Sequence, residues 1–349
     1  MLEKYNILVL EHRNYYEGLL DFDQSIYNVT FGGLKLYKSN LKQFDLIVSF
    51  NFLSDLGNFM IIKAINQGVK TLLVSDGIID WSNMFGNKVF KAKNLKLFHP
   101  ILHDYFFCVG KNETSYFRSQ GQETYSYVPK RMEIKNDIFS KKNQYDFLIT
   151  TSNTPYHDEI EKQVLLKILN ELVKFLNKYG YSFGFRIYDD FLKKKLKISE
   201  TNNFTSGDFG TIFNNFKCLI TTPSSIIITA MQFDKPVAQI IYRDTPLFVQ
   251  SGWLITSLNI DSTIVSMHNK NRERMQFQSW QIQNYSPEND ILSLVSSFKE
   301  KKIKPIDYDT RLFNLLNSKY NINFEYFFRK IYVKLKNINF KIFLQKKTT

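Results

Sequence analysis

Residues 218–242, CLITTPSSIIITAMQFDKPVAQIIY, constrain the fold more than any other stretch of the chain. An apolar run ends at Thr221-Thr222-Pro223, and Ser224 and Ser225 open a short helix that turns Ile227, Ala230 and Met231 inward. Asp234-Lys235-Pro236 stops that helix, and residues 237–242 form a second buried strand. A helix start at the carboxyl end of a parallel strand gathers unpaired N–H groups and the positive end of the helix dipole at one spot. In an open α/β sheet, ligands bind at that edge. The segment therefore predicts a domain that holds a phosphate or diphosphate.

The same alternation runs through the rest of the chain. Short apolar runs at 5–10, 45–50, 70–75, 105–109 and 125–128 predict buried parallel strands, with helices over 58–67 and 111–120 closed by Gly68 and Gly121. A charged, apolar-poor link at about 130–143 follows, and the pattern restarts. Strands are expected at 145–151, 183–188, 218–222 and 237–242, with helices over 158–179, 210–216, 247–258, 290–299 and 310–318. The fold class is α/β, with two Rossmann-like domains facing across a cleft, residues 1–135 and 144–318. Residues 319–349 complete the chain as a basic amphipathic helix.

At 349 residues the chain has room for two domains, and 44% hydrophobic residues supply two cores. A formal charge of +13 favours an anionic partner: nucleic acid, a membrane surface or a nucleotide-linked substrate. No nucleic-acid-binding module is recognisable, so nucleic acid is not expected. Cys108 and Cys218 each lie in an apolar run and read as buried free thiols of a reducing compartment. The first apolar run is a strand rather than a leader, and no run has the length of a membrane span. The expected location is cytoplasmic. Residues 321–347 interleave lysines with Phe, Ile and Leu, which suits either an interfacial helix on anionic lipid or a terminal helix packed across both domains.

TTPSSIIITAMQFDKPVAQI resembles the donor-side motif of GT-B glycosyltransferases, in which a small-residue turn, a short helix, Glu-Ala-Met and Gly-Lys-Pro-Val follow one another. DYFFCVGKNETSYFRSQG, followed by YSYVPKRM, resembles the end of their first domain. TLLVSDGIIDWSN resembles the acceptor-side loop of bacterial surface-polysaccharide enzymes, such as capsule Kdo transferases and teichoic-acid glycerophosphotransferases. The resemblance spans most of residues 70–245. It implies the GT-B architecture and transfer of a sugar from a nucleotide-sugar donor to a capsule, O-antigen or lipooligosaccharide acceptor, with no metal and no other cofactor. Three positions depart from the pattern. Thr229 stands where the family carries the acid that holds the donor ribose, Asp234 stands for the Gly before Lys-Pro, and the His that often follows the Arg186 strand is missing.

Such an enzyme needs groups that neutralise a leaving diphosphate and a base for the acceptor hydroxyl. The donor-side candidates are Thr151, Ser152, Asn153, His157, Arg186, Thr222, Ser224, Ser225 and Thr229. The serines equally suit helix capping, and Arg186 an ion pair with Asp189 or Asp190. Asp76, followed by Gly77 at a strand end, is the first candidate base and Asp80 a weaker one; His99 and His103 are the others. A turn role would explain Asp76 as well. No Gly-x-Ser-x-Gly elbow, Walker A loop or Gly-x-Gly-x-x-Gly fingerprint is present, which argues against hydrolase, ATPase and dehydrogenase chemistry. The rival readings are glycerol phosphate transfer from CDP-glycerol, nucleotide-sugar 2-epimerisation, and a non-catalytic GT-B scaffold.

Overall fold

A computed structural model describes residues 4–92, 97–98, 101–133, 144–286, 294–295, 297–298 and 331. The expected helices over 310–318 and 319–349, and most of 290–299, lie outside these residues. The first sheet contains β1 (Tyr5–Val9), β2 (Tyr27–Thr30), β3 (Leu46–Ser49), β4 (Lys70–Val74), β5 (Tyr105–Val109) and β6 (Glu123–Tyr127). Its helices are α1 (Arg13–Tyr16), α2 (Asp55–Asn66), α3 (Ser82–Gly86), α4 (Lys88–Ala92) and α5 (Lys111–Ser119). The second sheet contains β7 (Tyr145–Thr150), β8 (Phe183–Arg186), β9 (Phe216–Thr221), β10 (Val237–Ile240) and β11 (Trp253–Ile255). Around it lie α6 (Glu159–Lys178), α7 (Asp190–Lys195), α8 (Phe209–Phe213), α9 (Ile226–Met231), α10 (Ile260–His268) and α11 (Arg272–Ile282).

Every strand pair in both sheets is parallel. The first sheet runs β2-β1-β3-β4-β5-β6, and the second, read from its other end, runs β8-β7-β9-β10-β11. The two windings are the same: each sheet starts in the middle, goes one strand to one side, then builds outward on the other. The switch points fall between β1 and β3 and between β7 and β9. Continuous apolar burial explains the central strands. All five residues of β5 are buried, as are Leu46–Ser49 of β3. Asp158 starts α6 by accepting from the Glu161 N–H, and Leu165, Leu169, Leu172 and Leu176 form its inward stripe.

The segment 247–258, expected to be helical, instead contains β11, with Trp253 and Ile255 buried and Leu254 outward. Three residues of period-two burial are too short to register against a helical pattern. Edge strand β2 and helices α10 and α11 also lie outside the elements expected from sequence. After α11 the chain returns to the first domain. Tyr285 packs on Gly110, and Phe298 stacks on Tyr105 with ring centroids 3.8 Å apart. Cys108 and Cys218 are buried and free.

Asp234 occupies the left-handed region at φ 52°. The Gly of the resembling motif suits that geometry without strain, whereas Asp carries a Cβ. Pro236 follows, and Lys235 closes the end of α8 by donating to the Phe213, Asn214 and Phe216 carbonyls at 3.1, 3.0 and 2.6 Å. Burial, and secondarily Lys270, lowers the Lys235 ammonium to about 8. Asp234→Gly should raise the unfolding free energy by about 0.5–1 kcal/mol, read from the denaturant midpoint. A lower midpoint would show that the Asp234 side chain stabilises the turn by more than its backbone strain costs.

Candidate functional site

Parallel pairing sends the carboxyl ends of β7 and β9 to one edge, and the polar groups there are laced together. The Ser152 N–H donates to Thr222 Oγ1 at 2.7 Å, and Thr150 Oγ1 donates to the Arg186 carbonyl at 2.7 Å. Thr151 is buried beside them, and its Oγ1 has no hydrogen-bond partner among the described residues. A buried hydroxyl at the switch point without a protein partner is a ready contact for a ligand oxygen. Ser152 and Ser224 are half-buried and Asn153 is exposed on the same rim. Ser224 Oγ accepts from the Ile226 N–H at 3.5 Å, a local capping contact.

Ser225 does something else. It makes no side-chain cap to α9; its Oγ accepts from the Ile78 N–H, 3.1 Å away in the first domain. An added Cβ at Gly77 would sit 2.5 Å from Ser225 Oγ, so any larger residue there must displace that hydroxyl from the Ile78 N–H. The Asp76 carbonyl accepts from the Arg131 guanidinium, while the Asp76 side chain is exposed. The candidate base and the candidate phosphate anchor thus lie on facing loops. Beside them, a cavity of about 420 Å³ opens between the halves, lined by Gly18, Lys130, Arg131, Gly210, Ser225 and Thr229. Thr229 sends its Oγ1 to the Met132 carbonyl at 3.4 Å, at the start of the link between domains.

The other candidates separate. Arg186 pairs with neither Asp189 nor Asp190; it donates to the Phe204 carbonyl at 2.8 Å and lies over the Tyr188 ring. His157 is wedged at the seam, its Nε2 3.4 Å from Ser82 Oγ, and burial followed by the Arg243 charge lowers its pKa. His103 is a correction. Named as a candidate base, it is fully buried just before β5, and its Nε2 shares a hydrogen bond with Ser49 Oγ at 2.8 Å. A ring held in the core cannot reach an acceptor hydroxyl. His99 lies outside the described residues.

Two carboxyl groups not singled out from sequence occupy the same edge of the first sheet. Glu11 follows β1 at the switch point and accepts from the Phe50 and Asn51 N–H groups at 3.3 Å each. Its Oε2 is buried without a partner among the described residues, and burial pushes the carboxyl up to about 7 against those two donors. Glu113, in the first turn of α5, accepts from the Ile79 N–H at 2.8 Å, and burial raises it well above the carboxylate range. The sequence signal for Glu11 is its place one step beyond the first buried strand, among residues that look like solvated charges. Arg243, three residues after β10, carries no motif that marks it in the sequence. Among the described residues, no cluster of three or more His, Cys, Asp or Glu side chains could hold a metal ion.

No protein-family model matches the chain, and no curated protein is similar to it in sequence. Solved structures do match. A Listeria monocytogenes protein assigned as a UDP-N-acetylglucosamine 2-epimerase superposes with TM-score 0.58 at 12% identity, covering 87% of this chain and 99% of that one. S. aureus MnaA in complex with UDP gives 0.54 at 14% identity, covering 85% and 96%. The Neisseria meningitidis UDP-GlcNAc 2-epimerase bound to UDP-GlcNAc gives 0.52 at 12% identity, covering 85% and 98%. The fold is that of two Rossmann-like domains in the GT-B arrangement.

Glu11 makes stability depend on pH. Its folded pKa of about 7 lies above the ordinary 4.5, so the native state holds the proton between those values while the unfolded chain releases it. Its contribution is intact below about pH 4.5 and is lost as pH rises through 7. Glu11→Gln should flatten that slope and raise stability above pH 7 by of order 1–3 kcal/mol. Denaturation curves of both proteins at pH 5 and pH 8 measure the difference; parallel curves would mean that the Glu11 carboxyl is solvated.

Proposed function

We propose that this chain is a nucleotide-sugar-dependent glycosyltransferase that extends a bacterial cell-surface glycan: capsule, O-antigen or lipooligosaccharide. One observation carries the reading: the loop holding Asp76 closes directly onto the start of α9, through Ser225 Oγ and the Ile78 N–H at 3.1 Å. That contact sets a carboxylate for an acceptor hydroxyl beside the hydroxyls and N–H groups suited to a donor diphosphate. In a direct displacement, Asp76 takes the proton of the attacking hydroxyl as the new glycosidic bond forms. The bond to the diphosphate breaks, and its electron pair leaves on the phosphate oxygen. Ser224, Ser225, Thr151 and Arg131 surround the place where that charge collects, so no metal is required. The nucleotide sits in the 420 Å³ cavity, with Thr229 in place of the usual ribose-holding acid.

A nucleotide-sugar 2-epimerase is the second reading. Its support is that the matched Listeria and Neisseria structures carry that name, together with the buried carboxyls Glu11 and Glu113 at the crevice. Incubation with UDP-GlcNAc and no acceptor separates the two: an epimerase converts it, whereas a transferase waits for acceptor. Glycerol phosphate transfer would show instead as CMP release from CDP-glycerol, and a binding scaffold as nucleotide binding with no product. The location proposed is the cytoplasm, with residues 321–347 touching anionic lipid; among the described residues no helix is long and apolar enough to cross a membrane.

Replacing Ser224 and Ser225 together with Ala should weaken nucleotide binding by about tenfold or more while the protein stays folded, because charge-assisted hydrogen bonds to phosphate are lost. Thermal-shift titration against UDP, GDP, CDP, CMP and dTDP measures it, and unchanged affinity would take the serines out of the site. Asp76→Asn keeps the shape and removes the basicity. Turnover should fall by about 10²–10⁴-fold with donor affinity preserved. Transfer near the wild-type rate would pass the base role to Glu11.

A further inference from the structure

Arg243 stands at the seam between the halves, and its bonds divide by domain. From its own domain, the Pro155 carbonyl accepts from Nη2 at 2.7 Å and Glu161 Oε2 lies 3.1 Å from Nε. From the first domain, Nη1 meets Asp80 Oδ2 at 3.2 Å and Ser82 Oγ at 2.8 Å. The Arg243 side chain is only 5% exposed, and those of Asp80 and Glu161 are 19% and 16% exposed. Tyr242 Oη also donates to Pro155, which fixes the carbonyl that orients the guanidinium. Separating the halves would therefore free one edge of a preset guanidinium, Nη1, and leave the rest held.

The position matters because Arg243 follows β10, on the same sheet edge as Thr151 and the start of α9. Asp80 is two residues from Ile78, whose N–H rests on Ser225 Oγ. Nη1 and the start of α9 therefore meet the same short loop of the first domain, residues 78–80, from the same edge of the second sheet. A buried Arg–Asp pair pays a desolvation cost that makes it a poor source of stability. It is a good source of exchange, because the Nη1 that meets a carboxylate oxygen can meet a phosphate oxygen in its place.

We propose that Arg243 is a phosphate-binding residue of the donor site and that the Asp80 carboxylate holds the phosphate's place on Nη1 in the ligand-free protein. The ligand class is a diphosphate, as in a nucleoside diphosphate or its sugar ester. The proposal rests on the donor site inferred above and adds a residue and a competition to it. Ligand and Asp80 exclude one another on Nη1, so the apparent affinity is lowered by the fraction of molecules in which Asp80 is seated.

The two partners then have opposite effects. Asp80→Asn should tighten binding of UDP and of inorganic pyrophosphate by about threefold or more, measured by calorimetric titration of the full chain. Arg243→Lys keeps a charge but cannot hold Pro155 and Glu161 while presenting a third donor, and should weaken both ligands by about tenfold. In the absence of ligand, Asp80→Asn should also give a more extended particle in small-angle scattering. A purely structural pair would behave otherwise: both substitutions would lower the melting temperature and neither would tighten binding. Unchanged or weaker binding by Asp80→Asn overturns the proposal even where the wild-type protein binds UDP well. Tightened pyrophosphate binding with no nucleotide binding would uphold the exchange at Arg243 and overturn the nucleotide-sugar reading. Failure of both proteins to bind either ligand overturns the role of Arg243.

Discussion

Parallel strand pairing is the constraint on which the rest depends. A parallel sheet sends every strand's carboxyl end to one edge and needs a helix or long connection to return the chain each time. The helix starts and their unpaired N–H groups therefore collect on the edge where the strands end. Both sheets of this chain repeat one winding, so each has a switch point, β1/β3 and β7/β9. At each one a buried oxygen lacks a partner among the described residues: Glu11 Oε2 in the first and Thr151 Oγ1 in the second. Folded proteins rarely leave such atoms unsatisfied, and two at equivalent places in the fold mark the crevice more sharply than composition does.

The elements legible in the sequence are those whose burial is continuous. β3, β4, β5, β7 and β9 are apolar on both faces, because helices cover both sides of a parallel sheet. β2 and β11 are edge strands of four and three residues with outward polar or exposed positions, and they carry no such run. The donor turn was legible because a strand, small hydroxyl residues and a Lys-Pro stop follow in a fixed order. Its detail was not. Ser225 looked like a cap to its own helix and instead accepts from Ile78, 147 residues away in sequence. His103 misled for the opposite reason: residue type suggested chemistry, while its place before β5 puts it in the core. Position along a strand, rather than residue type, separates it from Glu11.

The seam between the halves has two characters. Apolar contacts gather around Phe248, whose ring lies 5.2 Å from Trp81 and 5.7 Å from Tyr116, and around the returning chain at Tyr285 and Phe298. Near the donor turn the contacts are polar: Ser225 with Ile78, Arg131 with the Asp76 carbonyl, and Arg243 with Asp80 and Ser82. Apolar burial has no replacement partner when it is exposed to water, whereas each polar contact can be exchanged for water or for a ligand oxygen. A seam built this way opens at least cost on its polar side and stays joined where the chain crosses back. On the proposed donor site, the residues that close it are the same residues an anionic ligand would use. Under the exchange proposed at Arg243, closure without ligand and closure around ligand are two satisfactions of one set of donors, and the balance between them is set by a single carboxylate on the Asp76–Asp80 loop.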